Sequence, residues 1–342
     1  MITANAEHKH EPKDWKVFLG DGGQHDGLLS LPEPPPWRFS REPSKLELPA
    51  DLDLDKDAKR AAPFKATEEM ILAVNSALYL RRPLLITGKP GIGKSTLIYK
   101  VAHELMFGPV IRWPITSRST VRSGVYEYDA VGRLQASKSG DPPVEQYLTL
   151  GPLGTALLAK TWPRPLLIDE IDKSDLDFAN DLLNVIEEGE YDIPELQRLG
   201  PDARSVCDYF GQKVDIPGGR LQSEQFPFVV MTSNAEREFP APFLRRCVRL
   251  TVMPPDIPKL TAIVESHLAQ HEGKLNWSKI KTLVEKFDGL QTENQEVSTD
   301  QLLNAVFLTI AVRGEEEDRK FDEKEIEALE QALMRPLSGP SA

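Results

Sequence analysis

The stretch Pro83–Leu97, PLLITGKPGIGKSTL, constrains this chain more than any other. Pro83 opens a short apolar run, Leu84-Leu85-Ile86, with the length and composition of a buried parallel strand. Gly88-Lys89-Pro90-Gly91-Ile92-Gly93-Lys94-Ser95 follows, and Thr96-Leu97-Ile98 begins a helical pattern running to about Leu105. A strand, a glycine loop and a helix start with GxxxxGK[ST] spacing is the sequence form of a P-loop. The glycines let the backbone turn tightly, so that successive N–H groups point at phosphate oxygens. Lys94 supplies positive charge for the outer phosphates, and the Ser95 hydroxyl is a ligand for Mg²⁺. The helix N-terminus beneath adds partial positive charge. Residues Gly88 through Thr96 are therefore the candidate phosphate-binding set. A chance glycine-rich turn has no reason to carry a strand before it and a helix after it.

A second piece, Pro165-Leu166-Leu167-Ile168-Asp169-Glu170, is a buried strand with two carboxylates at its C-terminal end. That end of a strand is where ligands bind in an open α/β sheet. By itself it reads as a strand ending in surface acids. Beside a P-loop, Asp169 is suited to hold Mg²⁺ through water and Glu170 to polarise an attacking water. Phe226–Asn234 is another buried strand, ending in a polar amide. Asn234 either hydrogen-bonds the attacking water or simply forms a turn. Arg245 and Arg246 precede a last strand, Val248–Val252, and serve either as surface ion-pairing groups or as a guanidinium for a neighbour's γ-phosphate.

The rest of the chain organises around these pieces. Residues 1–60 are rich in proline and lack periodicity, which fits an extended arm anchored by Trp37 and Phe39, or a disordered tail. A helix is expected from Thr67 to about Arg81, capped by Thr67 with acids in its first turn. Pro109–Ile115 is a strand candidate, and residues 118–149 suggest a hairpin or long loop inserted in a helix. A helix follows from Gly151 to Lys160, another from Asp175 to Glu188, and residues 190–226 form a second insert. Beyond Pro254-Pro255, four helical patterns near 258–271, 278–287, 299–312 and 323–335 make a small all-helical unit. The expected layout is an arm at 1–60, an α/β core at 61–253 and a helical lid at 254–342. The formal charge of −12 argues against a chain whose main task is gripping nucleic acid. No long apolar run or signal-like segment is present, so a soluble, cytoplasmic protein is expected. The two cysteines, Cys207 and Cys247, lack histidines at metal-ligand spacing, which argues against zinc.

In order, these parts resemble the AAA+ ATPases: GKPGIGKST, LLIDE, a strand ending in TSN, an arginine pair and a helical lid. GPLGTALL before the LLIDE strand, LLIDEIDKSDLDFANDLLNVIEEGEY, and FPAPFLRRCVRL after Asn234 are similar to the MoxR-like and dynein-related (helix-2-insert) branch. The resemblance covers about residues 61–335. It implies a three-layer α-β-α core with a parallel sheet plus the helical lid, a Mg²⁺-dependent ATPase, and hexameric rings. It also implies a protein client or a von Willebrand A-domain partner. Carried over residue by residue, it implies Lys94, Ser95, Asp169 and Glu170 as the catalytic core. Asn234 becomes the first sensor and Arg246 the arginine finger, ahead of Arg245. One departure stands out. The branch carries a second-sensor arginine at the start of the third lid helix, whereas this chain has Ser298-Thr299-Asp300-Gln301, and Arg313 lies further on. Slow or partner-dependent turnover is one consequence, a nucleotide-controlled assembly switch another. A motor subunit of a nucleic-acid-targeting defence complex, similar to the restriction GTPases, is a third reading.

Overall fold

The computed structural model describes residues 15–38, 44–50, 52–53, 57–140, 142–268, 277–292, 297–311, 328–329 and 331–335. Phe39, Arg313, the Ile310 side chain and most of the fourth lid helix lie outside the described residues. In chain order the elements begin with α1 (Ala58–Ala61), α2 (Glu68–Leu80), β1 (Leu84–Thr87), α3 (Thr96–Glu104) and β2 (Ile111–Pro114). Next come α4 (Val121–Val125), β3 (Tyr126–Tyr128), α5 (Ala130–Ala136), β4 (Leu148–Leu150), α6 (Pro152–Ala156), β5 (Pro165–Asp169) and α7 (Leu176–Glu188). They continue through β6 (Glu190–Asp192), α8 (Pro194–Gln197), β7 (Arg204–Cys207), β8 (Lys213–Ile216), β9 (Arg220–Gln222) and β10 (Phe228–Ser233). The chain closes with α9 (Ala241–Leu244), β11 (Val248–Thr251), α10 (Ile257–Leu268), α11 (Trp277–Thr292) and α12 (Thr299–Ala311).

These elements form two compact units. One is drawn from Met1–Ala62, Ala66–Ile86 and Ser95–Leu250, the other from Pro63–Lys65, Thr87–Lys94 and Thr251–Ala342. The central five-stranded sheet has the order β11-β1-β10-β5-β2. Strand β5 pairs in parallel with β10 on one side and β2 on the other, and every residue of β5 and β10 is buried. Strands buried on both faces read as continuous apolar runs, which is why PLLID and FVVMTS show no alternation. The order seats β10, whose tip runs into Asn234, between the P-loop strand and the strand ending in Asp169. The fold is thus an α/β P-loop core with a separate helical part.

The two inserts behave differently from simple loops. Strands β3 and β4 pair antiparallel around α5, and β7 and β8 form a second antiparallel pair. A single parallel contact, Thr149 opposite Cys207, joins both into one four-stranded sheet in the order β3-β4-β7-β8. Helix α6 stops at Ala156 rather than at Lys160. The Ala159 carbonyl beyond it accepts the N–H groups of Glu224 and Gln225, so that backbone is committed to the second insert.

The arm departs furthest from the sequence reading. Trp37 is 77% exposed, whereas Val17, Phe18 and Leu28 are buried. The Asn75 side chain accepts from the N–H groups of Val17 and Phe18 and donates to the Phe18 carbonyl. The Glu104 carboxylate accepts from Leu19, Gly20 and Gly22 N–H. A backbone without ladder partners must find acceptors elsewhere, and α2 and α3 supply them.

In the helical unit, α10, α11 and α12 share a core that includes Leu260, Val264, Ile280, Leu283, Val284, Phe287, Leu302 and Val306. Phe307 of α12 is 48% exposed. Among the described residues no helix is long and apolar enough to cross a membrane.

Candidate active site

The phosphate loop Thr87–Lys94 belongs to the helical unit. Gly91 sits at φ +73°, and a Cβ there would lie 2.2 Å from the Ser298 Cβ, so only glycine fits. The Thr299 N–H, in the first turn of α12, donates to the Gly91 carbonyl at 3.3 Å. The start of α12, where the expected second-sensor arginine is missing, therefore lies directly against the P-loop. At the loop's entrance Val252 N–H donates to the Thr87 carbonyl at 2.8 Å. Lys94 is buried, and its Nζ donates to the Gly88 and Lys89 carbonyls at 2.8 and 2.7 Å.

The α/β unit supplies the strand tips. Ser95 takes the N-cap position of α3 but makes no side-chain cap bond. Its Oγ instead donates to Asp169 Oδ1 at 2.6 Å. Thr232 Oγ1, from β10, donates to the same oxygen at 2.8 Å and accepts the Glu170 N–H at 2.9 Å. Arg112 NH2, from β2, donates to Asp169 Oδ2 at 2.7 Å. Burial pushes the Asp169 carboxyl upward, but the bonds from Ser95, Arg112 and Thr232 outweigh it and hold the group below the usual carboxylate range.

Glu170 follows in a left-handed conformation, φ 60°, uncommon for a residue with a side chain. Its Oε2 accepts from Lys173 Nζ at 2.5 Å, and its Oε1 lies 3.5 Å from Asn234 Nδ2. The Asn234 backbone N–H donates to the buried Asp172 Oδ2 at 2.9 Å, and Glu236 N–H reaches the same oxygen at 3.2 Å. Ser95, Asp169, Glu170 and Asn234 thus converge within one unit. Arg246 stands apart from them: NH1 donates to Asn184 Oδ1 at 2.8 Å, and Nε lies 3.5 Å from Glu187 Oε2. Arg245 is exposed.

Sequence reasoning missed Arg112, Thr232, Asp172 and Lys173. Thr232 and Asp172 lay within quoted motifs, and their polarity beside apolar neighbours was the available signal. Arg112 had a subtler one, a cation near the C-terminal end of a strand, where ligands bind.

Fold and strand-tip geometry together define a P-loop α/β core with a helical C-terminal unit. Residues 83–247 match the family model of the AAA domain, dynein-related subfamily. That match runs from the strand before the P-loop to just past the arginine pair, so this stretch of the core is similar to the AAA domains of that subfamily. No curated protein matches the chain. Among solved structures, domain III of the Thermotoga maritima replication initiation protein DnaA aligns at 16% identity with a TM-score of 0.44. The alignment covers 85% of this chain and all of that one, and at such a score it bears on neither partner nor function.

Proposed function

We propose that the chain is a Mg²⁺-dependent ATPase of the MoxR-like kind, working in a ring to remodel, load or activate a protein partner. The observation that carries this reading is the hydrogen-bonded run from Ser95 through Asp169 and Thr232 to Glu170, with Asn234 alongside. The Ser95 hydroxyl, hydrogen-bonded to Asp169 Oδ1 at 2.6 Å, and the Asp169 carboxylate, acting through water, are hard oxygen groups that fit Mg²⁺ held with nucleotide phosphates rather than in an all-protein cage. Mg²⁺ bound there supplies charge neutralisation for the phosphates. Lys94 adds a point charge at the β- and γ-phosphates, Glu170 orients the attacking water and takes its proton, and Asn234 hydrogen-bonds that water. Glu170 must first release Lys173. Both side chains are more than 40% exposed, so that release costs less than about 1 kcal/mol. Arg246 serves a neighbouring subunit, and a protein client or von Willebrand A-domain partner receives the work.

Phosphate release from ATP and from GTP, with and without Mg²⁺, tests the reading. Lys94→Ala is expected to weaken nucleotide binding by more than about tenfold, roughly 1.4 kcal/mol. Glu170→Gln is expected to keep nucleotide bound while hydrolysis nearly stops, and Asp169→Asn to weaken Mg²⁺ use. Unchanged affinity in Lys94→Ala would sink the assignment.

A further inference from the structure

Arg112 is not needed for any of the roles just assigned, yet it holds one of the two oxygens of the acid that defines the metal side of the site. The register explains how. Pro114 of β2 pairs with Asp169 of β5, and Arg112, two residues earlier, points to the same face of the sheet. Its guanidinium reaches along the strand to Asp169 Oδ2 at 2.7 Å. Oδ1 is already taken by the Ser95 and Thr232 hydroxyls. Oδ2 is thus the oxygen left for an outer partner, and a fixed cation of the chain sits on it.

We propose that Arg112 is a built-in competitor for the metal at Asp169, a positioning residue that sets how much Mg²⁺ the site needs before nucleotide binds tightly. This rests on the reading that Ser95 and Asp169 serve Mg²⁺. A guanidinium and a hydrated divalent cation cannot share one carboxylate oxygen without strong repulsion, so one must yield. The Arg112 side chain is 52% exposed and Asp169 only 10%. Arg112 can therefore swing into solvent and keep its charge hydrated, whereas Asp169 stays fixed by its hydroxyl partners. The exchange swaps one cation for another at a carboxylate that is never left bare, which avoids the penalty of an unpaired buried charge.

The test is the Mg²⁺ midpoint for binding a fluorescent ADP analogue to the full chain, titrated from an EDTA baseline. A diphosphate probe removes any contribution Arg112 makes at a γ-phosphate. Arg112→Gln is expected to lower the midpoint by about threefold to tenfold, because a competitor and a like charge are both removed. Affinity in EDTA should stay at the wild-type value. Arg112→Lys, which keeps the charge but offers a single compact donor, is expected to fall between the two. It carries the test if the glutamine variant does not fold. An unmoved or raised midpoint in these variants overturns the proposal. So does a lost preference for triphosphate over diphosphate with an unmoved midpoint, which would assign Arg112 to the γ-phosphate. A wild-type protein whose ADP affinity ignores Mg²⁺ overturns the metal reading itself, and the proposal with it.

Discussion

Asp172 is the least conspicuous acid at the strand tips and the one that ties down the loop after β10. Glu170 and Ala235 both sit at φ 60°, a conformation that costs a side-chain-bearing residue about 1–2 kcal/mol. Between them, Asp172 Oδ2 gathers the N–H groups of Asn234 and Glu236. Asp172→Ala leaves those N–H groups without an acceptor, at about 1–3 kcal/mol. Turnover is expected to drop while nucleotide affinity holds, and Asp172→Asn, which keeps an accepting oxygen, should restore most of it. Steady-state rates beside binding titrations check this. Asp169 makes a pH prediction. Its folded pKa lies below the unfolded one, so its stabilisation is complete above the ordinary carboxylate value of about 3.9 and is lost as pH falls through the depressed value. The difference in unfolding midpoint between wild type and Asp169→Asn should stay constant from neutral pH to about 5 and shrink only in stronger acid. At Cys247, burial above all, with the Glu187 charge adding to it, pushes the thiol up to about 12. A thiol-reactive disulfide reagent at pH 8 should therefore label the half-buried Cys207 in native protein and spare Cys247 until the chain unfolds.

At the scale of elements, close backbone approach does much of the work. Gly154, in the GPLGTALL stretch, faces the Val125 carbonyl at a distance where an added Cβ would lie 2.0 Å away, so α4 and α6 pack backbone to backbone. The Gly151 N–H donates to that same carbonyl at 2.8 Å. The arm is held by different means. The buried Phe18 anchors it, and side chains of α2 and α3 satisfy its backbone. Phe18→Ala is expected to cost about 3–5 kcal/mol of unfolding free energy, readable as a shift in denaturant midpoint. Trp37→Ala, at an exposed position, should change it by less than about 0.5 kcal/mol. Equal effects at the two positions would return the anchor to Trp37.

The whole molecule is proposed to be active only as an assembly. Arg246 is held by Asn184 and Glu187 of α7, and Arg38 of the arm bonds the same Glu187 at 2.9 Å. A guanidinium fixed this way on the subunit's own helix is oriented in advance, and the more exposed Arg245 is the competing candidate. An arginine supplied in trans is worth about a thousandfold or more in rate. Arg246→Ala is expected to bind nucleotide normally and hydrolyse it poorly at every protein concentration, while wild-type specific activity rises with concentration. Mixing Arg246→Ala with Glu170→Gln subunits should recover part of the activity, since some interfaces then pair an intact Arg246 with an intact Glu170. A dead mixture beside concentration-independent wild-type activity would mean that each subunit works alone, and loss of rate in Arg245→Ala instead would move the role by one residue.

Local chemistry was written in the sequence. The P-loop glycines, the buried strands β1, β5 and β10, the acids that end β5 and the apolar faces of α10 and α11 follow from spacing and hydrophobic runs, which neighbouring residues settle among themselves. What tertiary structure decided is which distant groups meet. No periodicity announces that Thr149 will pair with Cys207 and fuse two inserts into one sheet. None announces that Glu104 will hold the backbone of Leu19 and Gly20, or that Arg112 will reach Asp169. Those contacts arise from sheet order and register. A backbone N–H or a carboxylate takes whichever partner the packing brings within hydrogen-bond distance, and the residue type records only that a partner is needed.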